Sequence, residues 1–113
     1  MAPTRIYLSP GMFGFAELAS LEYFGHFKRA LVERFAAKNL EALVFVCEVH
    51  PTASIRRRAA KLAALVRASC STDGGPIHIV GHSTGGLDAR LVASPSSHLS
   101  DDPDLLGWLP RLH

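Results

Sequence analysis

Ala42-Leu43-Val44-Phe45-Val46-Cys47 is an apolar run with no polar residue for it to alternate against. A strand with one wet face alternates apolar and polar side chains, whereas a strand buried on both faces of a parallel sheet does not. The stretch from Glu41 to Val49 therefore reads as a strand with helices on either side, and its neighbours agree. Before it, Phe24, Phe27, Leu31 and Phe35 fall at helical steps and predict an amphipathic helix over Leu21 to Ala37. After it, Pro51 and Thr52 break the strand, Ser54 can cap a helix, and Ile55, Ala59, Leu62 and Val66 form the next stripe.

The ends repeat the scheme. Arg5 to Leu8 is a short β-type run closed by Ser9-Pro10-Gly11. Ser71-Thr72-Asp73-Gly74-Gly75-Pro76 is a turn, and Ile77-His78-Ile79-Val80 is the third strand. Gly81 to Gly86 is a sharp turn, and Leu87 to Ala93 begins a third helix. Ser94 to Asp104 reads as loop, and Leu105 to His113 has no clear period. The order β-α-β-α-β-α predicts the α/β class, with three parallel strands and flanking helices. Three strands are few for such a sheet, so the layer looks incomplete.

Composition narrows the function classes. A chain of 113 residues holds one small domain, and 48% apolar with 19% charged residues excludes disorder and coiled coil. The formal net charge of +2 is too small to predict nucleic-acid binding. Cys47 and Cys70 read as buried free thiols. No C-x-x-C occurs and the histidines miss zinc-ligand spacing, so no metal is expected. No stretch approaches the ~20 apolar residues of a membrane span. Met1 to Arg5 lacks the pattern of a signal peptide, which predicts a cytoplasmic protein and leaves secretion open.

The chemistry is carried by Gly81-His82-Ser83-Thr84-Gly85, which fits G-x-S-x-G, a nucleophile elbow. Such a serine sits on a tight strand-to-helix turn with its hydroxyl exposed. Gly81 and Gly85 remove β-carbons that would clash there. The positive end of the following helix favours a developing oxyanion, and the Thr84 N–H is its natural first donor. A plain glycine-rich turn is the bland alternative. An apolar strand before the motif and a helix after it favour the elbow. G-x-G-x-x-G and G-K-[ST] are both absent, which removes dinucleotide and P-loop readings.

Gly81-His82-Ser83-Thr84-Gly85-Gly86-Leu87-Asp88-Ala89-Arg90 resembles the elbow of bacterial lipases and esterases of the α/β-hydrolase superfamily. Independently, Ile6-Tyr7-Leu8-Ser9-Pro10-Gly11-Met12-Phe13-Gly14-Phe15 is similar to their first strand and oxyanion loop, and Glu22-Tyr23-Phe24 to the segment after it. The resemblance runs from about Arg5 to Val92. It implies a partial α/β-hydrolase fold, with Ser83 as the nucleophile. Backbone N–H groups of Met12 and Thr84 would form the oxyanion hole, and His82 would be an elbow histidine that is not the base. It also implies an ester or lipid substrate and no cofactor. One departure stands out: Pro10-Gly11 replaces the usual His-Gly, and Pro10 lacks an N–H and fixes its φ.

Hydrolases of this kind order the triad as serine, then acid, then histidine. Asp88 lies inside the elbow helix, where a polar helix contact is its expected role. Asp101, Asp102 and Asp104 sit in a loop with no strand after them, His98 reads as a solvated loop residue, and His113 reads as a frayed terminus. The expectation is an N-terminal part of a hydrolase domain over 1–113, truncated after the elbow helix and the following loop, with acid and base elsewhere. The alternative is a non-catalytic remnant, or a fragment that associates through its exposed sheet edge. An acyltransferase or peptidase could use the same elbow.

Among weaker features, Arg56-Arg57-Arg58 reads as a solvated helix start opposed to the helix dipole, or as a site of anion attraction. Phe13, Phe15 and Phe24 suit either an acyl pocket or the core. Trp108, with Leu105, Leu106 and Leu109, is expected to be exposed here and covered only in a longer protein.

Overall fold

The computed structural model describes residues 2–9, 17–47, 53–82, 85–94 and 105–113, with side chains from residue 25 onward in the first helix. The elements are β1 (Thr4–Ser9), α1 (Glu17–Ala36), β2 (Ala42–Val46), α2 (Ile55–Ser69), β3 (Ile77–Gly81), α3 (Gly85–Ala93) and a terminal 3₁₀ turn, Leu109–Arg111. The three strands form one parallel sheet in the order β2-β1-β3, as the α/β pattern predicts. Thr4 pairs with Ala42 on one side of β1, and Arg5 with Ile77 on the other.

The most apolar strand is not the central one. β2 lies at an edge, where Ala42 and Val44 are buried while Leu43, Phe45 and Val46 are only partly so. α1 covers the face of Ala42 and Val44, and on the other face Phe45 packs against the larger core cluster, but the outer side of β2 has no strand among the described residues. The central strand β1 instead buries two polar side chains, Arg5 and Ser9, and survives because Arg5 is fully partnered.

The pleat divides the core into two layers. Ile6, Leu8, Ala42 and Val44 face α1, which presents Phe27, Leu31 and Phe35 at four-residue steps. The α1 side chains up to Phe24 lie outside the described residues. α1 starts at Glu17, four residues before the expected Leu21. It ends where Asn39 takes φ 58°, with the Leu40 N–H bonded to the Phe35 carbonyl at 2.9 Å. On the other face Tyr7, Cys47, Ile77, Leu62, Val66 and Val92 form the larger layer with α2 and α3. Both cysteines are buried thiols outside any disulfide, as expected.

Three expectations are corrected. Leu105 and Trp108 are 8% and 4% exposed and belong to this core, while Leu106 and Leu109 pack against it. His113 is not frayed: its N–H bonds the Ile77 carbonyl at 2.9 Å, beside a parallel bridge between Ile77 and Leu112. The three arginines at the start of α2 do not act alike. Arg56 and Arg57 are exposed, but Arg58 is 4% exposed and paired.

Candidate functional site

In a parallel sheet every strand ends at the same edge. Here Ser9, Val46 and Gly81 share it, and α2 and α3 start from it. Position 81 closes the register: Gly81 sits opposite Ser9, and the His82 N–H bonds the Ser9 carbonyl at 2.9 Å. The Gly85 N–H then bonds the His82 carbonyl at 2.9 Å, and α3 begins at once. The chain thus passes from strand to helix in three residues.

Only a residue without a β-carbon allows this at position 81. A Cβ there would stand 2.5 Å from the Gly86 Cα and 2.7 Å from its N. The requirement is steric closeness between strand end and helix start. Gly85 is buried at the first helical position. The structure therefore brings Gly81 and Gly85 together as a strand–turn–helix. Ser83, Thr84 and Met12 lie outside the described residues, as do Pro10, Gly11, Phe13, Phe15, His98 and the acidic loop residues Asp101, Asp102 and Asp104.

Beneath the start of α3 lies a feature the sequence reading missed. Arg58 Nε donates to both Asp88 carboxylate oxygens at 3.1 Å, and its Nη1 donates to the Ala53 carbonyl at 3.3 Å. The side chains are 4% and 0% exposed. Burial raises the Asp88 carboxyl above its ordinary value, and the Arg58 guanidinium pulls it partly back. Asp88 thus makes the polar helix contact expected of it, and makes it across to α2, where it anchors one helix to the other. A separation of 30 residues leaves no periodic signal by which this pairing could have been read.

A second buried polar group stands on β1. Ser9 is 1% exposed, and its hydroxyl has no hydrogen-bond partner among the described residues. It ends the central strand directly beside Gly81. No group of three or more potential metal ligands assembles among the described residues. No helix among them is long and apolar enough to cross a membrane. An apolar hollow of about 620 Å³ is lined by Glu33, Arg34, Phe35, Ala37, Lys38 and Leu40. Those residues end α1, which runs back against the strands, so the hollow lies at the edge opposite the turn.

Comparison with known proteins relates the chain broadly to lipases. It is 36% identical over 90 residues to a triacylglycerol lipase of Vibrio cholerae serotype O1. That alignment takes in 79% of this chain and 27% of the lipase, so the chain spans about a quarter of its relative's length. No protein-family model matches the chain. No solved structure matches it either.

Proposed function

We propose that the chain carries the nucleophile-bearing part of a serine hydrolase that cleaves ester bonds, of the lipase or carboxylesterase type. The observation that carries this reading is the strand–turn–helix closed by Gly81 against Gly86, with G-x-S-x-G running through it. The lipase relative supports the ester class.

In this reading Ser83 Oγ attacks the ester carbonyl carbon and its proton passes to a base. The carbonyl oxygen becomes an oxyanion held by the backbone N–H groups of Thr84 and Met12. The start of α3 supports that charge, since helix N-termini favour anions. As the tetrahedral species collapses, the alcohol leaves with the proton and an acyl group remains on Ser83. Water then hydrolyses the acyl group by the same steps in reverse order. The base and its carboxylate partner are supplied by residues other than those described. Asp88 is unsuited to be that partner, being wholly buried against Arg58.

The test is covalent labelling with a fluorophosphonate probe, read by mass spectrometry. The expected result is one adduct, on Ser83, lost in Ser83→Ala. A folded protein that takes no label, with the circular-dichroism spectrum of an α/β domain, overturns the reading and favours a non-catalytic fragment.

A further inference from the structure

We infer that Arg58 and Asp88 are positioning residues: their buried ion pair sets the rotation of α3's first turn, and through it the geometry of the strand-to-helix turn at Gly81–Gly85. The catalytic consequence rests on the hydrolase reading above, whereas the geometric one does not.

The argument starts from what the pair does not give. A buried ion pair is weak as a stabilising device, and apolar side chains of similar volume often serve stability as well or better. What it adds is direction. Arg58 holds both oxygens of one carboxylate while its Nη1 holds the Ala53 carbonyl. One guanidinium therefore braces three pieces of chain at the carboxyl edge of the sheet: the approach to α2, α2 itself and the first turn of α3.

α3 needs such a brace. It has nine residues, and its buried positions are Gly85, Asp88 and Val92. Gly85 offers no side chain and Val92 sits in the last turn. Asp88 is thus the one buried side chain able to fix how the first turn is rotated. That turn begins at Gly85, whose N–H closes on His82, and includes Gly86, whose Cα abuts Gly81. A small rotation of α3 would move the Gly85 N–H away from the His82 carbonyl and open the turn. Misplacement of a reacting group by about 1 Å is enough to cost on the order of 100-fold in rate.

The test uses Arg58→Met/Asp88→Leu, which fills the site with apolar side chains, together with Arg58→Lys, which keeps the charge but loses the fork. Two quantities are read on the folded proteins. Backbone amide exchange is expected to quicken at least tenfold at His82 and Gly85 while Leu62 and Val66 in α2 stay protected. Fluorophosphonate labelling at saturating probe is expected to slow by roughly 10- to 100-fold, with little change in the probe concentration giving half-maximal rate. If the double variant does not fold, Arg58→Lys carries both readouts. Unchanged exchange at His82 and Gly85 in the folded variant overturns the inference. So does a native labelling rate in a protein that labels. If the unsubstituted protein takes no label, the hydrolase reading fails, and amide exchange still decides whether the pair positions the turn.

Discussion

At the scale of single residues, two glycines that meet where the strand end approaches the helix start, Gly81 of the motif and Gly86 just after it, make opposite demands. A methyl at Gly81 meets backbone, while one at Gly86 meets nothing within 4 Å. Gly81→Ala is therefore expected to cost about 1–3 kcal/mol, as overpacking against an unyielding neighbour does. Gly86→Ala is expected to gain about 0.5 kcal/mol by restricting the unfolded chain. Urea titrations of both variants check this, and equal effects would show that the turn is not closed as described. Ser9 makes a similar point in reverse. Its buried hydroxyl has no partner among the described residues, so Ser9→Ala is expected to stabilise the fold by about 1 kcal/mol. A loss of stability on the same titration would mean that the hydroxyl is satisfied after all. The glycines were legible because close approach of backbone leaves a compositional trace. Ser9, Arg58 and Asp88 were not, because a side chain's burial depends on partners far along the chain. In the sequence Ser9 is turn punctuation and Arg58 one of three equivalent cations, and Asp88 is a polar helix contact whose partner 30 residues away carries no signal.

At the scale of elements, the three strands and three α-helices among the described residues are legible in order, because runs, stripes and the turns between them mark each one, whereas the terminal 3₁₀ turn carries no period to show it. The same signals do not rank the strands. β2 reads as the strand buried on both faces, yet β1 is central, since strand order is set by crossovers and not by hydropathy. The start of α2 shows how an element tolerates local conflict. Arg56 and Arg57 oppose the helix dipole with no acidic residue in the first turn, and the Ser54 hydroxyl compensates by accepting the Arg57 N–H at 3.2 Å. Ser54→Ala is expected to cost about 1 kcal/mol. Arg57→Glu is expected to gain about 0.3–1 kcal/mol at low salt, with the gain shrinking as salt is raised. Thermal melts at two ionic strengths test both, and a salt-independent gain would point to a contact and not the dipole.

At the scale of the whole molecule, the sheet is braced differently at its two ends. The carboxyl edge has Arg58 and Asp88. The amino edge has an exposed carboxylate, Asp73, held between Arg5 at 2.9 Å and Arg111 at 3.3 Å. Arg111 also donates to the carbonyls of Cys70, Ser71 and Gly75, so it fastens the terminal 3₁₀ turn to the turn before β3. The two aspartates titrate in opposite senses. Hydrogen bonds from Arg5 and the Gly75 N–H lower Asp73 from its ordinary 3.8, so the unfolded chain binds its proton first. The stability that Asp73 contributes is present above pH 3.8 and is lost as pH falls through its lowered folded value. Burial raises Asp88, so its ionisation opposes folding, and that opposition is relieved as pH falls. Acid should therefore loosen the amino edge first. Trp108 is the chain's one tryptophan, and it is 4% exposed beside that fastened segment. Its emission is expected to shift to the red below about pH 4, before the far-ultraviolet circular-dichroism signal falls. Asp73→Asn should show part of that shift already at neutral pH and a flatter dependence below it. Coincident loss of both signals in the unsubstituted protein would mean that the terminal segment is held by the core around Trp108 and Leu105, and that the Arg111 contacts are incidental to it.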